Sequence, residues 1–394
     1  MPQIKPEVEA FARIRVIGVG GSGKNAVNHM INSKVRGVDF ISVNTDAQDL
    51  HHSEAKRKIH IGKNLTRGLG TGMDPDLGKR AVEETKEEIQ EALKGADMIF
   101  IACGMGGGTG TGAAPVIART AKELGILTVG VVTKPFAFEG NQRMRIAEAG
   151  LENLRQSVDA LIVIPNDRLL ATISKDTSAK SAFSMCDDIL KQAVEGISDL
   201  ITTPGTINID FADIKAVMEG AGGALMGIGR ASGEKRAEEA AKLAINSPLL
   251  EVSINGARGV LFSIAGGDDL TMFEIHDAAK LITESVDPNA KIIFGTVRDE
   301  RLKKGEIKIT VIASGFPENF GVKNSLFADK DREEGDASGK GKIFNSVFKK
   351  EERREAPQPT QNQEEPEEKK SNVIIDDDDE WGAVPAFLRR SKLK

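Results

Sequence analysis

The chain has 394 residues and a net charge of −6, enough length for two domains with a sizeable core and no global basic field that would argue for nucleic acid. There is no tyrosine and a single tryptophan, Trp381, while Cys103 and Cys186 stand in apolar contexts without metal-ligand spacing, as buried thiols in a reducing compartment do. Met1 to Pro6 carry no apolar h-region and no stretch approaches about 18 apolar residues, so a cytoplasmic protein with no direct membrane span is expected.

Residues 12–19 predict a first strand, followed by the glycine loop Gly18-Val19-Gly20-Gly21-Ser22-Gly23-Lys24-Asn25. Gly18, Gly20 and Gly23 fit G-x-G-x-x-G, the dinucleotide fingerprint, while Gly18 to Lys24 also fit G-x-x-x-x-G-K. Neither fit is complete. Asn25 stands where a P-loop needs a hydroxyl for Mg²⁺, and the acid Asp46 lies beyond the strand-end position a dinucleotide fold prefers. A second strand, Phe40 to Val43, leads to Asn44-Thr45-Asp46, and residues 57–61 suit a short third strand. Asn64 to Gly72 reads as a loop. Asp74-Pro75 then supplies a cap and a proline first turn for one charged helix running to about Leu93, stopped by Gly95.

The apolar run Met98 to Ala102 predicts a buried strand, and Gly104-Met105-Gly106-Gly107-Gly108-Thr109-Gly110-Thr111-Gly112 follows it directly. The next helix is expected to begin at Ala113, with Pro115 in its first turn. A bare loop between strand end and helix start presents free N–H groups and the positive end of a helix dipole, a site for phosphate; Thr109 and Thr111 could add hydroxyl donors. The rhythm repeats through a helix to about Leu124, strand Ile126–Val132, loop Thr133–Asn141, helix to about Arg155 and strand Ala160–Ile164. Alternating strands and helices predict an α/β fold with a parallel sheet covered on both faces, and ligands bind such sheets beyond the carboxyl ends of the strands.

One long helix is predicted over Thr177–Thr203, its apolar stripe including Phe183, Cys186, Leu190, Val194 and Ile197. By pattern alone Phe183 is core and Asp187, four residues on and sharing its face, a solvated charge. In Asn208-Ile209-Asp210-Phe211-Ala212-Asp213 the two aspartates fall in the first turn of a helix reaching Met218, where capping is the plain reading. A second α/β unit follows: helix Glu234–Ile245, strand Val260–Ala265, helix Met272–Ser285, and strands Lys291–Val297 and Glu306–Ala313. From about 325 to 372 the chain is too polar to bury a core. The acidic run Asp376–Glu380, then Trp381 to Lys394 with Val384, Phe387 and Leu388 before a basic end, reads as a tethered recognition peptide.

Taken together, these residues resemble the tubulin superfamily, and within it the branch that serves bacterial cell division. The resemblance covers about residues 11–316 and the terminal peptide. It rests on Gly104 to Gly112 followed by Ala113-Ala114-Pro115, on Gly20 to Asn25, Asn44 to Asp46, Thr133 to Phe136, Glu139-Gly140 with Arg143, Pro165-Asn166-Asp167, and Asn208, Asp210 and Asp213. It implies GTP or GDP, with Mg²⁺, bound across the strand ends. Gly104, Met105, Gly106, Gly107, Gly108, Thr109 and Gly110 would hold the β/γ phosphates; Gly20, Gly21 and Asn25, with Ser22 and Lys24, would line the other side. Asn44, Asp46, Thr133 and Pro135 join the nucleotide-binding set by their place in the matched motifs. Glu139 and Arg143 would contact ribose and phosphates, Asn166 and Asp187 would read the guanine edge, and Phe183 would pack on the base. A carboxylate accepting two N–H groups selects guanine, because adenine lacks that donor pair.

The same resemblance implies that Asn208, Asp210 and Asp213 serve the nucleotide of the next subunit in a head-to-tail filament, the two acids polarising water there. It divides the chain into an extension (1–10), a GTP-binding domain (11–176), a central helix (177–203), a C-terminal α/β domain (204–316), a linker (317–372) and a docking peptide (373–394). Membrane-tethering and regulatory division proteins would bind Trp381–Lys394 at the mid-cell division site, although Gly382-Ala383 departs from the usual acidic lead-in. Lys24 and Ser22 depart from a mostly glycine loop, and Asp74-Pro75 stands where Asn-Pro is frequent. The resulting expectation is a GTPase that polymerises at the division site. The alternative is a dinucleotide-binding oxidoreductase resting on Gly18, Gly20 and Gly23, and a third reading is a GTP-binding scaffold that assembles without hydrolysis.

Overall fold

The structure is a computed structural model describing residues 12–170, 174, 176–203, 205–247, 253–299 and 301–316. The expected extension, linker and docking peptide lie outside the described residues. Strand β1 (Ile14–Val19) runs straight into helix α1 (Gly20–Asn32), so Gly20 to Asn25 are the first helical turns rather than the loop expected. Next come β2 (Val38–Asn44), the short α2 (Ala47–His51), β3 (Arg57–His60) and the four-residue α3 (Lys63–Thr66), which overlaps the start of the loop expected at 64–72. The charged stretch is two helices, α4 (Pro75–Glu84) and α5 (Lys86–Leu93), not one. Asp74 caps the first by accepting the N–H groups of Asp76 and Leu77, and Thr85, at φ −117° and ψ 26°, breaks the run.

Then follow β4 (Met98–Gly104), α6 (Gly108–Glu123), β5 (Leu127–Lys134), a 3-10 turn (Ala137–Glu139), α7 (Asn141–Arg155), β6 (Ala160–Pro165), α8 (Asn166–Leu170) and the 24-residue α9 (Ala179–Thr202), capped by Ser178. The remainder is α10 (Phe211–Met218), β7 (Gly222–Ser232), α11 (Arg236–Ile245), β8 (Gly259–Gly266), α12 (Met272–Thr283), β9 (Lys291–Arg298) and β10 (Glu306–Ser314).

One ten-stranded sheet carries everything, in the order β3-β2-β1-β4-β5-β6-β7-β10-β8-β9. From β3 to β7 every neighbour is parallel, as the alternation of strands and helices predicts; β10 runs antiparallel to both β7 and β8. The sheet does not stop after the sixth strand, because Ala160, Leu161 and Ile162 of β6 pair with Gly222, Gly223 and Ala224 of β7.

Along β4, alternate residues feed two separate cores. Met98 and Phe100 pack with Met30 of α1 and Leu190, Val194 and Ile197 of α9, while Ile99, Ile101 and Cys103 pack with Ala81, Leu93, Ile117 and Leu151 on the other face. Strand β7 was not foreseen. Its glycines depress every local strand signal, yet a side chain on Gly227 or Gly229 would collide with the carbonyls of Ala244 or Ala240, so their bareness lets α11 lie directly on the strand. Among the described residues no helix is long and apolar enough to cross a membrane.

Candidate nucleotide site

Helix α6 begins at Gly108, five residues earlier than expected, so the second half of the glycine run is helical and Pro115 lies inside the helix, not in its first turn. Packing overrides propensity here. A side chain on Gly112 would collide with the Pro75 carbonyl, so glycine is what lets α4 and α6 approach. The proline removes one interior N–H, and the cost is tolerated in a helix buried through most of its length. Gly107, the cap, has open space where a side chain would point, whereas Gly106, at φ 92°, sits 2.7 Å (from an ideal Cβ) below the Arg143 carbonyl. The helix therefore starts at the sheet's carboxyl edge with a bare backbone facing outward.

Both threonine hydroxyls expected to point at phosphate are engaged inside the protein. Thr111 Oγ1 accepts the Gly106 N–H at 2.9 Å, and Thr109 Oγ1 lies 2.7 Å from Thr45 Oγ1 and 3.3 Å from Thr71 Oγ1. Lys24 is buried and donates to Asp49 Oδ1 at 2.6 Å; Asp49 Oδ2 accepts from Asn44 Nδ2 at 2.8 Å. Asn44 Oδ1 accepts the N–H groups of Thr45 and Asp46, and Asp46 caps α2. Lys24, Asn44, Asp46 and Thr109 therefore shape the surroundings rather than line the cleft.

The cleft itself holds about 700 Å³ of empty space, its open mouth included. Ser22, Asn25, Gly104, Met105, Thr133, Pro135, Glu139, Arg143, Asn166, Phe183 and Asp187, all nominated from the sequence, line it together. Gly20, Gly21, Gly106, Gly107, Gly108 and Gly110 lie in the adjoining turns without lining it. Asn208, Asp210 and Asp213 are nowhere in the lining: all three are exposed, Asn208 accepting the Gly205 N–H and Asp210 capping α10.

Three features stand out on one side of the cleft. Phe183 is 48% exposed instead of core, and its ring meets buried Phe136 edge-on at 5.4 Å. Asn166 is buried, yet its Oδ1 has no hydrogen-bond partner. Asp187 is half-buried, and burial pushes its carboxyl up to about 6 even though His29 and Lys24 pull it down. Opposite, Glu139 accepts the Phe136 N–H at 2.9 Å and stands 3.2 Å from Arg143 Nε, a pairing whose angle leaves that N–H without a proper hydrogen bond. Cys186 and Leu190 also line the cleft, and the helical stripe marked them only as apolar. Asp49 carried no sequence signal at all. Among the described residues no group of three or more His, Cys, Asp or Glu could hold a metal.

A parallel sheet whose strand ends surround a cleft, lined on one side by the glycine-rich end of β4 and the first turns of α1 beside a bare helix start, and elsewhere by an exposed ring, an orphaned amide and a desolvated carboxylate, defines a nucleotide-binding protein. Two family profiles match the chain: the GTPase domain of the Tubulin/FtsZ family over residues 13–174, and the FtsZ family C-terminal domain over residues 222–317. An FtsZ dimer of M. jannaschii, titled empty, shares 46% identity with a TM-score of 0.75, covering 78% of this chain and 89% of that one. GDP-bound monomeric CetZ1 of Haloferax volcanii shares 22% identity (TM-score 0.69, 78% and 95% covered), and a GTPγS-bound CetZ2 protofilament from the same organism shares 23% (TM-score 0.66, 78% and 94% covered); these two match in fold. The chain belongs to the FtsZ family, tubulin-like GTPases that bind GTP and GDP and serve cell division.

Proposed function

We propose that this chain hydrolyses GTP as a head-to-tail polymer that scaffolds the cytoplasmic division site at mid-cell, each active site being completed by a neighbouring subunit. The guanine edge meets Asp187 and Asn166, the ring of Phe183 covers the base, and the phosphates lie against Gly104–Gly110. Gly107, with open space above a helix start, and the orphaned Asn166 Oδ1 fit such a ligand. Mg²⁺ would arrive with the phosphates and offset their charge.

The observation that carries this reading is a separation: Gly104, Met105, Asn166, Phe183 and Asp187 line one cleft, while Asp210 and Asp213 stand exposed outside it. A carboxylate can orient and activate water, but an acid permanently beside the phosphates would repel the substrate. Supplying it from the next molecule makes hydrolysis depend on assembly, and a head-to-tail contact generates an open filament. Leu69 at 85% and Phe138 at 71% exposure are apolar side chains that a second copy could bury. The relative of known structure titled a dimer agrees with self-association. The oxidoreductase alternative loses its ground, because both family profiles that match the chain are of the Tubulin/FtsZ and FtsZ families. Trp381–Lys394 remains the proposed contact for tethering and regulatory partners, on composition.

The test measures phosphate release per molecule against protein concentration, beside light scattering. Turnover per molecule should rise with concentration and with scattering, and Asp210→Ala or Asp213→Ala should keep parent GDP affinity while losing about 100-fold or more in turnover. A total rate strictly linear in protein down to nanomolar concentration, or full turnover in both variants, would overturn the shared site.

A further inference from the structure

We propose that Lys24 and Asp49 are positioning residues of the GTPase: a part-buried ion pair heading a hydrogen-bonded chain that ties together four segments beside the cleft and fixes the spacing of the proposed phosphate wall. The chain is continuous. Lys24 Nζ, on the first turns of α1, donates to Asp49 Oδ1 at 2.6 Å, and Asp49 Oδ2 receives Asn44 Nδ2 at 2.8 Å. Asn44 Oδ1 receives the Thr45 N–H at 2.9 Å, Thr45 Oγ1 meets Thr109 Oγ1 at 2.7 Å, and Thr109 Oγ1 meets Thr71 Oγ1 at 3.3 Å. The four segments are the α1 start, the turn after β2, the loop before α4 and the N-terminus of α6.

Every link but Asp49 is desolvated. Lys24, Asn44, Thr45, Thr71 and Thr109 are all below 10% exposed, and Asp49 is only partly exposed. Lys24 is flanked in sequence by Gly23 and Asn25, and Ser22 and Asn25 line the cleft, so moving the lysine moves one of its walls. At the other end Thr109 is the second residue of α6, two residues beyond the open cap Gly107. None of these hydroxyls or charges lines the cleft, so the network acts through the backbone it holds and not by touching the nucleotide. A buried charge whose partner is removed disrupts its surroundings far more than the loss of both partners does, which gives the pair a recognisable signature.

This inference rests on the proposed placement of phosphates at α6 and base at α9, and GDP and guanosine, as displacers of a fluorescent GDP, separate the two ends. Asp49→Asn should weaken GDP about tenfold and guanosine by less than about twofold, since only the phosphate wall is disturbed. Lys24→Met should act in the same direction, the double variant Lys24→Met/Asp49→Asn should be milder than Asp49→Asn alone, and Lys24→Arg should restore most of the affinity. Thr45→Val cuts the same chain without stranding a charge and should show the same split, should Asp49→Asn fail to fold. A pair that only supports the fold would weaken GDP and guanosine equally; that result, or GDP affinity unchanged in Asp49→Asn and Thr45→Val, overturns the proposal. Asp187→Asn is the reference. If it weakens both ligands while the pair variants weaken neither, the positioning role alone fails; if it weakens neither, the placement of the nucleotide fails and this inference with it.

Discussion

Two polar clusters of this protein are built on opposite rules. Around Arg236, at the start of α11, every group is answered. Its Nε donates to Glu274 Oε1 at 2.6 Å, Nη1 to Asp269 Oδ2 at 2.6 Å, and Nη2 to the Asp269 carbonyl and Glu274 Oε2. Glu274 also closes a capping box with Thr271 at the start of α12, and Arg236 beside it holds its carboxyl down to about 2. In the cleft the accounts stay open: Asn166 Oδ1 is buried without a partner, and Asp187 is desolvated without an ion pair. The first arrangement joins α11 to α12 and stabilises. The second keeps donor and acceptor capacity for something that arrives later, at a standing cost to the fold.

If that division is real, each cluster should fail in its own currency. Arg236→Met should produce the largest effect, stranding the largely buried Glu274 carboxylate and costing about 2–3 kcal/mol, read as a fall in Tm of at least about 4 °C, with GDP affinity unchanged. A parallel loss of GDP binding would show the cluster reaching the cleft and erase the contrast.

Asp187→Asn should do the reverse. An amide cannot accept both guanine N–H groups, so GDP affinity should drop by about 10- to 100-fold, while Tm without nucleotide should hold or rise because a desolvated charge has been removed. Measured together by titration and thermal unfolding, a fall in both would mean that Asp187 supports the fold and that its exposure to the cleft is incidental.

The two clusters also differed in how well the sequence announced them. The glycine run at 104–112 pointed to phosphate because bare backbone after a buried strand has few other uses, yet it misplaced the helix start. Gly110 and Gly112 are there for the contact with β4 and α4, which local propensity cannot register. The same blindness hid β7, whose Gly227 and Gly229 make room for α11. Phe183 and Asp187 read as core and solvent from their helical spacing, and only the family resemblance set them in the site. Lys24 and Asp49 lie 25 residues apart on different elements, so no spacing rule could pair them. What was legible was local chemistry and period; what was not was chosen by the approach of two distant surfaces.

The smallest expected effect is also the one that separates the two costs of Asp187 most cleanly. Its carboxyl stands at about 6 in the fold against 3.8 for an ordinary aspartate. The protonated form is therefore favoured by folding: that contribution is complete below about 4 and is lost as pH rises through about 6. On the proposed placement binding runs the other way, because the base would need the carboxylate, and below pH 6 each nucleotide would first have to expel a proton. GDP affinity should accordingly fall about tenfold between pH 7 and pH 5, while the same group favours the nucleotide-free fold increasingly over that interval. Asp199, raised to about 6 by burial and by Glu195, adds to the stability slope, but it is absent from the cleft lining. Asp187→Asn should flatten the binding profile and leave the part of the stability slope due to Asp199. Parallel binding curves for parent and variant would mean that a different group carries the pH dependence, and that the cleft's open carboxylate is not what guanine meets.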